Sequence, residues 1–122
     1  MRGCSLPPTM VRPKVPGVAA FRVESLDGEQ GARLVGELDL AQYERADQAL
    51  APLFHVQGDV FLDLGELTFI DSSGIRLLIR LHAAVADHGG RVVLRDPEPH
   101  VVRVIEISGL FDLGIVAESS DA

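Results

Sequence analysis

The fold is determined by two neighbouring stretches, VFLDL at residues 60–64 and FIDSSG at residues 69–74, which precede a helical pattern of apolar residues. Apolar side chains at nearly every position of the first stretch are typical of a β-strand covered on both faces. The second stretch leads through a tight polar turn into a helix, which places Ser72 and Ser73 at the helix N-terminus. Backbone N–H groups and the helix dipole favour an added negative charge there. A serine in this turn is therefore a candidate phosphorylation site.

The composition predicts a single domain with an aliphatic core. The chain has 122 residues, of which 47% are hydrophobic but only 5% aromatic, and this length is sufficient to bury a core. The formal net charge is −7. Binding to nucleic acid or to an anionic membrane requires clustered Lys and Arg, so neither partner is expected.

The scarcity of cysteine and lysine excludes several kinds of chemistry. Cys4 is the only cysteine, so neither an intramolecular disulfide nor a cysteine-based zinc site can form. Lys14 is the only lysine, which excludes a P-loop and a core lysine for Schiff-base chemistry. We expect no metal and no cofactor, because the histidines lack paired metal-ligand spacing; they are His55, His82, His88 and His100.

The predicted location is cytoplasmic. No apolar run approaches the roughly 18 residues of a membrane span, and residues 1–16 lack the apolar core of a signal peptide. Residues 1–17 are rich in proline and are expected to form a disordered or loosely attached tail. The predicted domain covers residues 18–117, and residues 118–122 form a polar C-terminal tail.

Periodicity and turn residues predict the order β-β-α-β-α-β-α-β, an α/β fold with a mixed, mostly parallel sheet and helices packed over it. Asp39 is expected to cap the first helix, with Gln42 completing a capping box. The segment 98–110 is rich in β-branched residues, but its flanking prolines and Gly109 favour a helix. The predicted strands cover residues 18–26, 32–38, 59–64, 91–95 and 111–116.

Six short blocks, in this order, resemble the STAS-domain anti-sigma factor antagonist family. They are GELDL at 36–40, FLDL at 61–64, FIDSSG at 69–74, GG at 89–90, RV at 103–104 and SGLF at 108–111. The resemblance covers residues 18–117, and the Asp-Ser-Ser-Gly turn is its most specific part. It implies a STAS-like domain that acts in bacterial partner switching.

In that family, the unphosphorylated domain binds an anti-sigma factor that is also a serine kinase, and this frees the sigma factor. The kinase then phosphorylates a serine of the Asp-Ser-Ser-Gly turn and the complex dissociates. A metal-dependent serine/threonine phosphatase restores the binding form. Carried over to this chain, the resemblance implies Ser73 as the acceptor, with Ser72 as the alternative. The predicted partner-binding residues are Asp39, Asp71, Ser72, Ser73 and Gly74 in the matching blocks, together with Arg76 and Arg80, which are added because their helix starts at the turn.

Arg76 departs from the family pattern, since many members have a glycine at this position. It could change which partner docks, or it could pair with a phosphate. Arg76 and Arg80 lie on the face of the helix opposite its apolar stripe, which is typical both of a solvated face and of a partner-contact surface.

The same residues allow other interpretations. An Asp-Ser-Ser-Gly turn is also an ordinary helix cap, and Asp63 is expected to hydrogen-bond a neighbouring loop. A receiver domain would need an acidic pair and a late lysine, and a serine hydrolase would need a Gly-x-Ser-x-Gly elbow. The chain has none of these, so we expect no enzymatic activity. The closer alternative is a STAS-type scaffold bound constitutively in a larger signalling or lipid-transport assembly.

Overall fold

The computed structural model describes residues 21–119, and within them five strands form one sheet. The strands lie side by side in chain order; the first two are antiparallel and all other neighbours are parallel. The predicted mixed, mostly parallel sheet is therefore confirmed. The tail predicted for residues 1–17 lies outside the described residues, as do residues 120–122. The strands are β1 (Arg22–Ser25), β2 (Gly31–Leu38), β3 (Val60–Ile70), β4 (Val92–Arg95) and β5 (Val116–Glu118).

Three α-helices connect the strands of the described region, and the predicted element order is confirmed. They are α1 (Tyr43–Leu50), α2 (Ser72–Asp87) and α3 (Pro99–Ile107). Short 3-10 helices precede and follow α1, at Leu40–Gln42 and Ala51–His55. Pro52 lies at the start of the second of these, where it interrupts the α-helical hydrogen-bond pattern.

The core is built from aliphatic side chains, as the composition predicts. The helix α2 buries Leu77, Leu78, Leu81 and Val85 completely. Ile79, which the apolar pattern places on the buried face, is instead 37% exposed. The buried stripe of α2 begins at Ser73 and Gly74, so the rotation of the helix puts Ile79 at the edge of its apolar face.

The third strand is longer than predicted. It continues from Leu64, where the apolar run ends, to Ile70. Its pairing with β2 shifts register between Arg33 and Val35, and near this irregularity Asp63 Oδ1 accepts a hydrogen bond from Gly65 N at 2.9 Å. The ladder then continues because Leu67 and Ile70 remain buried in the core.

The range predicted for the last strand, residues 111–116, is wrong. A 3-10 helix occupies Leu110–Leu113, and β5 begins only at Val116. Gly109 and Gly114, with φ of 79° and 110°, flank the 3-10 helix in left-handed conformations. Two such glycines favour a compact turn over an extended strand, because only glycine adopts these angles without strain.

Candidate functional site

The candidate site is the turn that joins β3 to α2, and Asp71 organises it. Asp71 is the N-cap of α2, and its Oδ1 accepts hydrogen bonds from Ser73 N at 2.8 Å and from Gly74 N at 3.2 Å. Its backbone oxygen accepts from Ile75 N at 3.0 Å. Two of the N–H groups that begin α2, those of Ser73 and Gly74, are thus satisfied by the Asp71 side chain.

The same carboxylate also reaches the neighbouring loop. Asp71 Oδ2 accepts a hydrogen bond from Leu40 N at 3.2 Å, and Asp39 Oδ1 accepts one from Gln42 N at 3.2 Å. The expected cap at Asp39 is confirmed, although it caps a 3-10 helix that precedes α1. The structure therefore brings Asp39 and Asp71 to the same edge of the sheet, where the carboxyl ends of β2 and β3 lie side by side.

The two serines of the turn differ in exposure. Ser73 is only 5% exposed and is the buried polar residue of the core among residues 21–119, whereas Ser72 is exposed. Both belong to the first turn of α2, but residues one position apart on a helix point about 100° apart around its axis. Only the Ser72 side chain therefore faces outward from this end of the helix.

Gly74 allows α2 to approach the sheet closely. A Cβ atom on Gly74 would lie 2.5 Å from Ile70 Cγ1 and 2.9 Å from Leu38 Cγ. Both neighbours come from the last residues of β3 and β2. A glycine here therefore seats the N-terminus of α2, with its two serines, directly on the ends of these strands.

Arg76 and Arg80 lie on the exposed face of α2 but differ in their contacts. Arg80 Nη1 donates to Tyr43 Oη at 2.8 Å and to Asp47 Oδ1 at 3.0 Å, and its guanidinium lies 5.3 Å from the centre of the Phe54 ring. The hydrogen bonds to Tyr43 and then Asp47 raise the pKa of Arg80 above its ordinary value. The guanidinium of Arg76 lies 5.5 Å from the centre of the Tyr43 ring.

These contacts join α2 to α1 and to the 3-10 helix that follows it. A surface pocket of about 350 Å³ lies beside them and is lined in part by Asp47, Phe54 and Arg80. Tyr43, Asp47 and Phe54 were not among the site residues predicted from the sequence. The sequence contains only part of the information that would identify them. Periodicity places Tyr43 on the apolar stripe of α1, but its contacts with α2 are tertiary.

We define the docking face as the exposed surface around this turn. It contains Ser72, Arg76 and Arg80 of α2, and Leu40, which is 71% exposed beside Asp71. Of the residues predicted to bind a partner, Ser73 and Gly74 are buried, and Asp39 and Asp71 are partly buried caps.

Other candidate residues have structural contacts. Asp63 accepts hydrogen bonds from Gly65 N and from Arg33 Nε at 2.9 and 3.2 Å. Both partners lie in strands, β3 and β2, and not in the neighbouring loop that was expected. No group of three or more potential metal ligands occurs among residues 21–119. Nor does any helix in this range have the length and apolarity to cross a membrane.

Comparison with known proteins matches the domain to a known family. The family model described as "Mlab, STAS domain" matches residues 21–116. The protein BtrV of Bordetella bronchiseptica, named as an anti-sigma factor antagonist, is 34% identical over 102 residues, which cover 82% of this chain and 87% of BtrV. The chain belongs to the STAS-domain anti-sigma factor antagonist family.

This chain has the same fold as several anti-sigma factor antagonists of known structure. An anti-sigma factor antagonist from Mycobacterium paratuberculosis superposes with a TM-score of 0.70 at 21% identity, over 89% of this chain and 93% of that one. The antagonist SpoIIAA in its unphosphorylated form gives a TM-score of 0.64 at 24% identity, over 84% of this chain and 90% of that one. SpoIIAA of Bacillus is also known in a phosphorylated form, with a TM-score of 0.60 at 23% identity, over 84% of this chain and 94% of that one. At these identities, the likeness to this STAS domain is one of fold.

Proposed function

We propose that this protein is an anti-sigma factor antagonist whose binding is switched off by phosphorylation of the turn between β3 and α2. The unphosphorylated chain binds an anti-sigma factor with serine kinase activity through the docking face, and the sigma factor is released. Membership of the family supports the proposal that the chain is an anti-sigma factor antagonist. The observation that supports the phosphorylation switch is the exposed Ser72 hydroxyl at the start of α2, beside the exposed Leu40.

The acceptor we propose is Ser72. A kinase must bring the γ-phosphorus of ATP to the serine oxygen, which bonds to it as the hydroxyl loses its proton and ADP leaves. The exposed Ser72 allows this approach, whereas Ser73 is 5% exposed and would require α2 to lift from the sheet. Exposure therefore reverses the preference for Ser73 that was taken from the sequence.

The phosphate is expected to act at the interface and to leave the fold unchanged. It adds about −1.5 to −2 charges at neutral pH, at a site where no core contact has to be broken. A partner surface that fits a neutral hydroxyl beside Asp71 would then face an unpaired dianion. Such a change costs about 2–5 kcal/mol at an interface, or roughly 30-fold to several thousand-fold in affinity.

A metal-dependent serine/threonine phosphatase would reset the switch by adding water across the phosphoserine ester and releasing inorganic phosphate. The exposed position of Ser72 suits this step as well, because the ester remains accessible at the start of α2. The metal belongs to the phosphatase, and this chain needs no cofactor for its part in the cycle.

The test has two steps and uses the full chain. The first incubates the wild type, Ser72→Ala and Ser73→Ala with radiolabelled ATP and lysate of the source cells. We expect label in the wild type and in Ser73→Ala but none in Ser72→Ala. The second compares Ser72→Asp with Ser72→Asn as baits, since these differ in charge but hardly in size; an ATP-binding anti-sigma factor should be retained by Ser72→Asn and lost by Ser72→Asp.

One other function has a specific observation in its favour. The matching family model carries the description "Mlab, STAS domain" rather than that of an anti-sigma factor antagonist, which keeps open a STAS-type scaffold in a larger assembly. If the protein is a scaffold, the wild type, Ser72→Asn and Ser72→Asp should all retain the same partners. None of them should take up radiolabelled phosphate. That result would contradict the phosphorylation switch and support constitutive binding.

A further inference from the structure

Arg76 lies one helical turn beyond Ser72 on the exposed face of α2. Side chains separated by four positions are neighbours on a helix, with Cβ atoms about 5–6 Å apart. The guanidinium of Arg76 lies over the Tyr43 ring, at 5.5 Å from its centre, and forms no ion pair with any carboxylate of residues 21–119. Arg80, in contrast, is paired with Asp47.

The backbone at the start of α2 is already committed to Asp71. Its side chain accepts the hydrogen bonds of Ser73 N and Gly74 N, and its carbonyl accepts that of Ile75 N. A phosphate on Ser72 would therefore find these N–H groups occupied, and the Asp71 carboxylate would repel it. The N-terminus of α2 therefore offers a phosphate less than an uncapped helix end would, and a cationic side chain nearby would add to its stabilisation.

We propose that Arg76 receives the phosphate of phosphorylated Ser72 and leaves the ring of Tyr43 to do so. This inference rests on the proposed function, because it concerns how phosphorylation of Ser72 changes the surface that a partner contacts. A guanidinium pairs with phosphate through two parallel N–H···O hydrogen bonds, whereas an exposed contact with an aromatic ring is weaker. Phosphorylation thus changes the docking face twice: it adds negative charge at Ser72, and it removes the cation that Arg76 would offer to an acidic partner.

The first measurement uses phosphoserine placed at position 72 during translation of the full chain, so that no kinase is needed. The phosphate is titrated by ³¹P NMR in the otherwise unaltered chain, in Arg76→Gln and in Arg103→Gln, which removes the same charge from α3. A serine phosphate normally has a second pKa of about 6. We expect Arg76 to lower it by about 0.15–0.4 pH units, an effect that is lost in Arg76→Gln and kept in Arg103→Gln.

The second measurement follows Tyr43, which is the only tyrosine in a chain that has no tryptophan. Its fluorescence and ring-proton resonances should change on phosphorylation of Ser72 when Arg76 is present, because the guanidinium leaves the ring. In Arg76→Gln the same signals should not respond.

The two possible failures are distinguishable. Equal phosphate pKa values with and without Arg76, together with an unchanged Tyr43 signal, would overturn the role of Arg76 even if phosphoserine still abolished partner binding. If the Arg76-dependent shifts appeared while phosphoserine left partner binding intact, the role of Arg76 would stand and the proposed function would fall.

Discussion

At the scale of single residues, Asp71 holds together two loops that carry the docking face. One carboxylate oxygen caps α2, and the other accepts from Leu40 N in the loop after β2. The residue is thus a structural requirement for the site, whatever contact it makes with a partner.

Replacement of Asp71 tests this role. We expect Asp71→Ala to lower the free energy of unfolding by about 1–2 kcal/mol, since both capping interactions are lost. Asp71→Asn should cost less, because asparagine is an equally good N-cap, and it serves as the matched control. Urea unfolding at neutral pH measures both; equal loss in the two variants would show that the second carboxylate oxygen, which accepts from Leu40 N and is an NH2 group in asparagine, matters more than the cap.

The sequence predicted much of this site because its signals are local. The caps at Asp39 and Asp71 each involve residues two or three positions apart, so the pattern of residue types contains them. The difference between Ser72 and Ser73 follows the periodicity of α2, which places Ser72 on the face of Arg76 and Ser73 on that of Leu77. The contacts of Arg80 with α1 join residues more than 30 positions apart, so no local pattern could predict them.

At the scale of the elements, the seating of α2 on the sheet depends on the missing side chain of Gly74. Alanine would place its Cβ only 2.5 Å from Ile70 Cγ1. Helix propensity alone favours alanine over glycine by about 1 kcal/mol, whereas overpacking of a core costs about 1–3 kcal/mol.

We therefore expect Gly74→Ala to be net destabilising and to displace the start of α2. Calorimetric unfolding, together with amide NMR shifts at Ser72 and Ser73, would show both effects. Ser73→Ala, at the neighbouring buried position, is the control that adds no atoms. A Gly74→Ala variant more stable than the wild type would mean that the helix does not depend on this close approach.

The boundaries of the elements were less predictable than their order. The helix α3 forms despite its β-branched residues because Pro99 and Gly109 mark its ends. After it, Phe111 and Leu113 have the composition of a strand, but the two left-handed glycines on either side produce a 3-10 helix. Similarly, β3 continues beyond Leu64 because tertiary burial of Leu67 and Ile70 outweighs the break in the apolar run at Gly65 and Glu66.

At the scale of the whole molecule, Arg95 links three distant parts of the chain. It donates to both carboxylate oxygens of Glu29, at 2.6 and 3.0 Å, and to Glu118 at 3.0 Å, while its guanidinium lies 4.9 Å from the centre of the Phe61 ring. The turn before β2 is thereby joined to β4 and β5. The hydrogen bond from Arg95 lowers the pKa of Glu29 below its usual 4.5.

A lowered folded-state pKa means that Glu29 stabilises the protein above its ordinary pKa, and that this stabilisation is lost as the pH falls through the lowered value. We expect Arg95→Gln to be less stable than the wild type near pH 6, with the difference narrowing as the pH falls below the ordinary pKa of a glutamate and Glu29 becomes protonated in both proteins. Urea unfolding across this range measures the difference. Arg91→Gln, at the opposite end of β4, is the control; the same narrowing there would indicate a general charge effect.

The division of tasks between Asp71 and Ser72 has a consequence for the life of the protein in the cell. The residue that holds the turn together is not the one proposed to be modified, so both forms should unfold with nearly the same free energy. Proteases that act on unfolded chains would then degrade them equally fast. The total amount of protein would stay constant while the signal varied, and the signal would be carried by the ratio of the two forms alone.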